Sequence, residues 1–331
     1  MPHMTRQMLA AAAAGLALAA AGPATAQAWP NKPITLIIPF AAGGPSDTLG
    51  RLMADHFGRT LGQQIVVENV AGAGGNAGAE RAAKSPPDGY TLFSHHSGLT
   101  AAPALYANLR YDPRAAFEPM GLVNTGPMVL TSRKTLEMKD AKELFTWLKT
   151  QGAKATVAHA GVGSNSFVCG TLLSQFLGIK PSMPAYRGTG PAMNDLVGGQ
   201  IDVLCDQATT AVPQIQAGTI KAYVVTSGER LASLPNVPSA KEAGAPDFTV
   251  TIWNGMYGPK GTPKEVIDKV NAAIGKFVTD PTIIKRFADT GTVPFPASQR
   301  SIDAHAKWLV SEFTRYETMF KAAGVAKQEI K

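Results

Sequence analysis

Short side chains able to hold an anion recur at turn after turn along this 331-residue chain. Phe40-Ala41-Ala42-Gly43-Gly44-Pro45-Ser46-Asp47 follows the apolar run Ile34–Ile38, and Gly161-Val162-Gly163-Ser164-Asn165-Ser166 follows Ala155–His159. Arg187-Gly188-Thr189 precedes a helix with proline in its first turn, and Asp206-Gln207 follows Ile201–Cys205. A glycine turn between a strand and a helix aims unpaired backbone N–H groups and the positive helix end at one spot. Ser46, Ser164, Ser166 and Thr189 add small hydroxyls that suit a carboxylate. In open α/β sheets, ligands bind outside the carboxyl ends of the strands. The chemistry on offer is therefore anion binding.

Other chemistries fit less well. Gly72-Ala73-Gly74-Gly75-Asn76-Ala77 formally matches GxGxxA, but it follows the second strand and no acidic residue ends a strand at the expected distance. The polar segment Ser94-His95-His96-Ser97 contains two histidines, yet adjacent side chains on an extended segment point to opposite faces, which disfavours a metal pair. His159 and His305 have no ligand-spaced partner either. Ser164 lacks the GxSxG elbow of a nucleophile; a Ser-His-Asp triad assembled from distant residues stays open. No cofactor and no metal are expected.

Two βαβ layouts must position these turns. In the first, Ile34–Ile38, Gln64–Asn69 and Tyr90–Phe93 read as strands. Ser46 and Asp47 are good N-cap residues for a helix whose Leu49, Leu52, Met53, Phe57 and Leu61 recur at spacings of three and four. A short helix is expected over Ala79–Lys84. Leu122–Thr131 looks extended, punctuated by Gly126-Pro127, and there the chain crosses to a second unit. That unit has a capping box at Asp140/Glu143, strands at Ala155–His159, Ile201–Cys205 and Ile220–Thr226, and a helix over Phe167–Leu177. Thr249–Tyr257 crosses back. Thr262-Pro263-Lys264-Glu265 reads as a capping box with proline at N1, and Ile302, Leu309, Phe313, Tyr316 and Phe320 stripe a C-terminal helix. The expected divisions are a first domain over 29–130 and 250–331 and a second over 131–249, with a cleft between them.

Residues 1–28 read as a cleavable signal peptide: Arg6, an Ala/Leu run from Leu9 to Ala21, then Ala24-Thr25-Ala26 and Ala26-Gln27-Ala28 as cleavage patterns. The run is too short and too rich in alanine for a permanent membrane span. The formal charge of +7 is scattered, without the Lys/Arg clustering of a nucleic-acid surface. Cys169 and Cys205 are the two cysteines; in an exported, oxidising setting an even count permits one bridge, the other reading being two buried thiols.

Ile37-Ile38-Pro39-Phe40-Ala41-Ala42-Gly43-Gly44-Pro45-Ser46-Asp47 resembles the opening signature of the exported substrate-binding proteins of tripartite tricarboxylate transporters, the Bug-type receptors. The likeness continues through Val67–Asn76, Pro87–Leu92, Tyr186–Leu196, Gly198–Asp202 and Trp253–Met256, so it spans essentially the whole mature chain. It implies an α/β, two-domain type II periplasmic binding fold (a Venus flytrap) with parallel-rich sheets flanked by helices. It implies a monomeric periplasmic receptor that closes on a small carboxylate, whether a di-, tri- or aromatic carboxylate, and delivers it to a large and a small membrane subunit. It places a ligand carboxylate between Phe40, Ala42–Asp47, Ser164–Ser166 and Arg187–Thr189, with Asp206 and Gln207 at the variable end and Ser94, His95 and Ser97 facing the cleft. It also supports a Cys169–Cys205 bridge. Many relatives carry histidine where this chain has Phe167, which implies a different wall to the cleft. The alternative from another class is an exported α/β hydrolase acting on a carboxylated small molecule.

Overall fold

A run of β-branched and leucine side chains buried on both faces makes β1 (Ile34–Ile38) the centre of a parallel arrangement, since a strand covered on both sides has no polar face to show. The computed structural model describes residues 28–330, so the signal-peptide expectation lies, but for Ala28, outside the described residues. β2 (Ile65–Asn69) and β3 (Thr91–His96) flank β1, both parallel to it. Helix α1 (Pro45–Leu61) returns the chain between β1 and β2 and buries Leu49, Met53 and Phe57. Its N-cap is Gly44, two residues before the expected Ser46. Pro45 takes the first helical position, where a missing N–H costs nothing, and this places Asp47 to accept the Gly43 N–H at 3.0 Å. Helix α2 (Asn76–Ala83) begins earlier than expected. β3 runs on through Ser94, His95 and His96, and α3 (Gly98–Leu105), which no periodicity announced, follows it.

Two long strands carry the chain across. β4 (Phe117–Arg133) pairs antiparallel with β8 (Thr251–Pro259) along its first part and with β6 (Val203–Gln207) and β7 (Ile220–Val225) along its last. Gly126-Pro127 does not interrupt it, because Pro127 sits where the ladder passes from β8 to β6 and β7, a position where a lost donor costs least. β5 (Val157–Ala158) adds in parallel beyond β6, and β9 (Val293–Pro294) pairs with β4. The strand order β2-β1-β3-β8-β4-β6-β5 gives a mixed sheet with parallel pairs at its wings and antiparallel pairs at the crossing.

Each wing has its own apolar core. In the first, α8 (Lys264–Thr279) packs on α1, Phe277 meeting Phe57 edge-on at 5.8 Å. In the second, α4 (Ala141–Gln151) and α5 (Asn165–Leu177) cover β5 and β6, joined at their ends by α6 (Thr189–Val197) and α7 (Ala208–Gln216). The α4 cap forms at Asp140, which accepts the Glu143 N–H at 2.9 Å, although Glu143 reaches back to Lys139 and not to the cap itself. No capping box opens α8. The Thr262 hydroxyl donates to Pro259 O at 2.7 Å, which leaves Pro263 as the N-cap. Helix α9 (Pro281–Asp289) follows, and α10 (Ile302–Ala322) places Tyr316 and Phe320 against Leu105 of the first wing and Phe167 and Val168 of the second. Among the described residues no helix is long and apolar enough to cross a membrane.

Candidate functional site

The two wings meet where their strands end. The Ala41 N–H, just past β1, donates to the Arg187 carbonyl at 3.1 Å. The approach is close enough to need glycine. A methyl group at Gly190 would lie 2.6 Å from the Ala42 carbonyl oxygen, and one at Gly161 would lie 2.7 Å from the Gly74 nitrogen. This second contact also explains the GxGxxA pattern. Gly74 lies against Val162 of the other wing, where a side chain would strike the Val162 carbonyl, so this glycine serves packing between wings, while Gly75 lies against His95 and Phe40 of its own wing.

Behind these contacts lies a small cavity of about 20 Å³. Phe40, Gly44, Pro45, Ser46 and His96 line it from the first wing; Ser164, Asn165, Ser166, Thr189, Asp206 and Gln207 line it from the second, with Met128 and Ala160. The amino termini of α1, α5, α6 and α7 all open onto it, so positive helix ends converge where no cationic side chain stands.

Local hydrogen bonds fix each group. Ser164 caps α5 by accepting the Phe167 N–H at 3.2 Å, and Ser166 Oγ accepts the Ala160 N–H at 2.9 Å, so both hydroxyls are turned into one pair 3.1 Å apart. Ser97 Oγ, from the first wing, donates to Asn165 Oδ1 at 2.6 Å. That bond orients the amide and leaves Asn165 Nδ2 buried with no partner. Asp206 is fully buried at the end of β6; its Oδ2 accepts from Thr210, while Oδ1 has no partner. Burial pushes its carboxyl up from 3.8 to about 6, against donors at Thr210, the Gln207 backbone and Thr189 that pull the other way. His96 is neutral because burial lowers it to about 3. Its Nδ1 accepts the Gly98 N–H at 2.9 Å, which leaves the proton on Nε2, and its ring stacks on Phe40 at 4.8 Å. An unpaired donor, an unpaired acceptor and a neutral imidazole thus share one small space. Such groups cost free energy unless something answers them.

The remaining expected site residues lie elsewhere. Asp47 turns away, held by the Gly43 N–H, Arg51 and Asn69. Ala42 and Gly43 form the contact with Gly190, and Gly188 packs against Ala41. Ser94 pairs with Met256 inside the sheet, and His95 packs among Phe93, Phe40 and Gly75. Arg187 is exposed, and its side chain makes no hydrogen bond or ion pair among the described residues. Phe167 packs edge-on to His159 at 5.1 Å and lines no part of the cavity. The residue missed was His96. Its signal was the length of β3: once the strand continues past Phe93, alternation puts its last residue on the cavity side. Cys169 and Cys205 are bonded, Cα to Cα 6.2 Å, which ties α5 to β6 one turn from Asn165 and one residue from Asp206.

Residues 49–325 match the tripartite tricarboxylate transporter family receptor. The chain belongs to that family. The structure of the periplasmic binding protein BugD is similar to this receptor at 40% identity, with a TM-score of 0.88 over 91% of this chain and 100% of that one. MatC from Rhodopseudomonas palustris, solved with bound malate, is similar at 39% identity, with a TM-score of 0.84 over 88% and 99% of the two chains. A second R. palustris protein, solved with adipate, is 28% identical, with a TM-score of 0.85 over 91% and 100%. The family is one of solute-binding receptors. Among the described residues no serine hydroxyl is hydrogen-bonded to a histidine. Nor does any group of three or more His, Cys, Asp or Glu among them stand where it could hold a metal ion.

Proposed function

We propose that this protein is a monomeric periplasmic receptor that captures a small carboxylate between its two wings and delivers it to the large and small membrane subunits of a tripartite transporter. The observation that carries the reading is Asn165 Nδ2, a buried donor without a partner, in a cavity lined from both wings and opened onto by four helix amino termini. A carboxylate would answer Asn165, the helix termini and His96 Nε2 together. That one relative is solved with malate and another with adipate supports the same ligand class.

Closure would turn about the long strands β4 and β8, with 29–130 and 250–331 moving against 131–249. Only the closed form presents Ser46 and Ser166 to one ligand, so binding draws the equilibrium toward closed. Delivery would use the same closure, since the membrane subunits would then meet a surface that exists only when the receptor is loaded.

The test is a thermal-shift screen of mature protein, unfolded and refolded to strip bound solute, against mono-, di-, tri- and aromatic carboxylates. A saturable rise for one acid class is expected, roughly 5 °C at about a hundredfold excess over Kd. A melting temperature unmoved by every acid would remove the carboxylate reading.

A further inference from the structure

Helix α3 lines no part of the cavity, yet both of its ends reach across to the turn that does. Its residues carry no charge, and Leu99, Ala101, Ala102 and Leu105 are buried. Ser97, at its N-cap, donates to Asn165 Oδ1 at 2.6 Å. Tyr106, at its C-cap, donates from its hydroxyl to the Val162 carbonyl at 2.9 Å. Near the amino end the backbones are so close that a methyl group on Gly98 would lie 2.8 Å from the Gly163 carbonyl oxygen. All three contacts cross from the first wing to the second and land within residues 162–165. That stretch delivers Ser164 and Asn165 to the cavity.

The far end of α3 is braced from behind. The Gln328 N–H donates to the Leu105 carbonyl at 2.8 Å, and the Ala107 N–H donates to the Gln328 carbonyl at 2.9 Å. Asn108 and Ile330 exchange two bonds, at 2.7 and 3.1 Å. The Tyr106 ring is buried in one apolar cluster with Leu105, Tyr316 and Phe320. Its hydroxyl is therefore carried on a fixed support and gives up little freedom when it bonds. Burial pushes the phenol up to about 12, so it remains a donor throughout the neutral range.

We propose that α3 is a clasp: by holding the Val162–Asn165 stretch against the first wing it sets how much of the receptor is closed, and so sets affinity without choosing among solutes. The proposal rests on the closure in the reading above and adds a control of affinity outside the cavity. Tyr106 and Val162 belong to different wings, as do Ser97 and Asn165, so neither bond survives when the wings part. An affinity measured on a partly closed population scales with the closed fraction, whichever solute is bound. Ser97 has a double part, since it also orients the Asn165 amide. Tyr106 has only the clasp, which makes it the positioning residue that separates closure from recognition.

Tyr106→Phe removes the hydroxyl and keeps the ring in its packing. Isothermal titration of the mature receptor, stripped of solute, with malate and with adipate should show each acid that binds weakened by one common factor, about fivefold for a single hydrogen bond. Ser97→Ala should weaken the two by unequal factors, because it also frees the amide that meets the ligand. Hydrogen exchange should be faster in Tyr106→Phe over residues 162–168, with β1 and β6 unchanged. Unchanged affinity and exchange in Tyr106→Phe, even with a lowered melting temperature, would make the hydroxyl merely structural and overturn the clasp while leaving the receptor reading standing. A changed ratio of malate to adipate affinity would overturn it too, by placing Tyr106 in recognition. Binding of neither acid by the native protein would count against the receptor reading instead, and exchange alone would then decide the clasp.

Discussion

Asp47, in the first turn of α1, and Asp206, near the end of β6, both stand where a strand of their wing gives way to a helix, yet their carboxyls are driven in opposite directions. Burial raises both. At Asp47, hydrogen bonds from Arg51, the Gly43 N–H and Asn69 outweigh that cost and hold the carboxyl below its ordinary value. At Asp206 the donors are hydroxyls and one backbone N–H, burial wins, and Oδ1 is left bare. The first aspartate is complete without a ligand and works as a brace. The second is incomplete and faces the cavity. The same contrast extends to what holds each turn: an ion-pair and amide cluster in the first wing, a covalent bridge beside Asp206 in the second.

The largest test of that contrast is the bridge. Reducing Cys169–Cys205, which closes a span of 36 residues, should cost about 3–4 kcal/mol of stability in urea unfolding. If the second turn depends on it, ligand affinity should fall in the same samples even where the protein remains folded. Unchanged affinity after complete reduction would show that α5 and β6 hold Asn165 and Asp206 without covalent help.

Asp47→Ala comes next. It removes one acceptor from three donors, two of them from side chains at the edge of the helix and sheet, and should destabilise by about 2–3 kcal/mol. The Asp47 contribution is fully present above the ordinary aspartate value of 3.8 and is lost as pH falls through the lowered value in the folded protein. The difference between native and Asp47→Ala stability should therefore shrink only in acid. A loss that persists unchanged at the lowest accessible pH would assign the effect to packing.

The layout of the first wing was legible because its signals are local. A β-branched run, a glycine turn and a three–four periodicity each occur within a few residues, and Ile34–Ile38 forms as its residues imply. Asp140 caps α4 for the same reason. What was not legible depends on residues far apart in the chain. Asp47 and Ser46 look alike as helix-start residues, and only Arg51 and Asn69, brought in by α1 and β2, turn Asp47 away from the cavity. His96 joined the cavity because β3 outlasted its apolar run, kept in the sheet by the partner strand β8. Arg187 seemed a natural partner for a carboxylate, yet its backbone and not its guanidinium makes the contact across the wings.

The smallest effect expected has the opposite sign. Asp206 binds its proton more tightly in the folded receptor, at about 6, than at the ordinary 3.8. Between those values the folded state holds more protons than the unfolded one, so the ligand-free receptor loses stability as pH rises through this window, on the order of 2 kcal/mol in all. Asp206→Asn removes the titration and keeps the shape, and the Thr210 hydroxyl can rotate to accept from the new amide. The ligand-free variant should then be more stable than the native protein at pH 7, equal to it near pH 4, and without the decline between. A native protein whose ligand-free stability does not decline over that window would mean that Oδ1 is already answered, and the contrast with Asp47 would collapse.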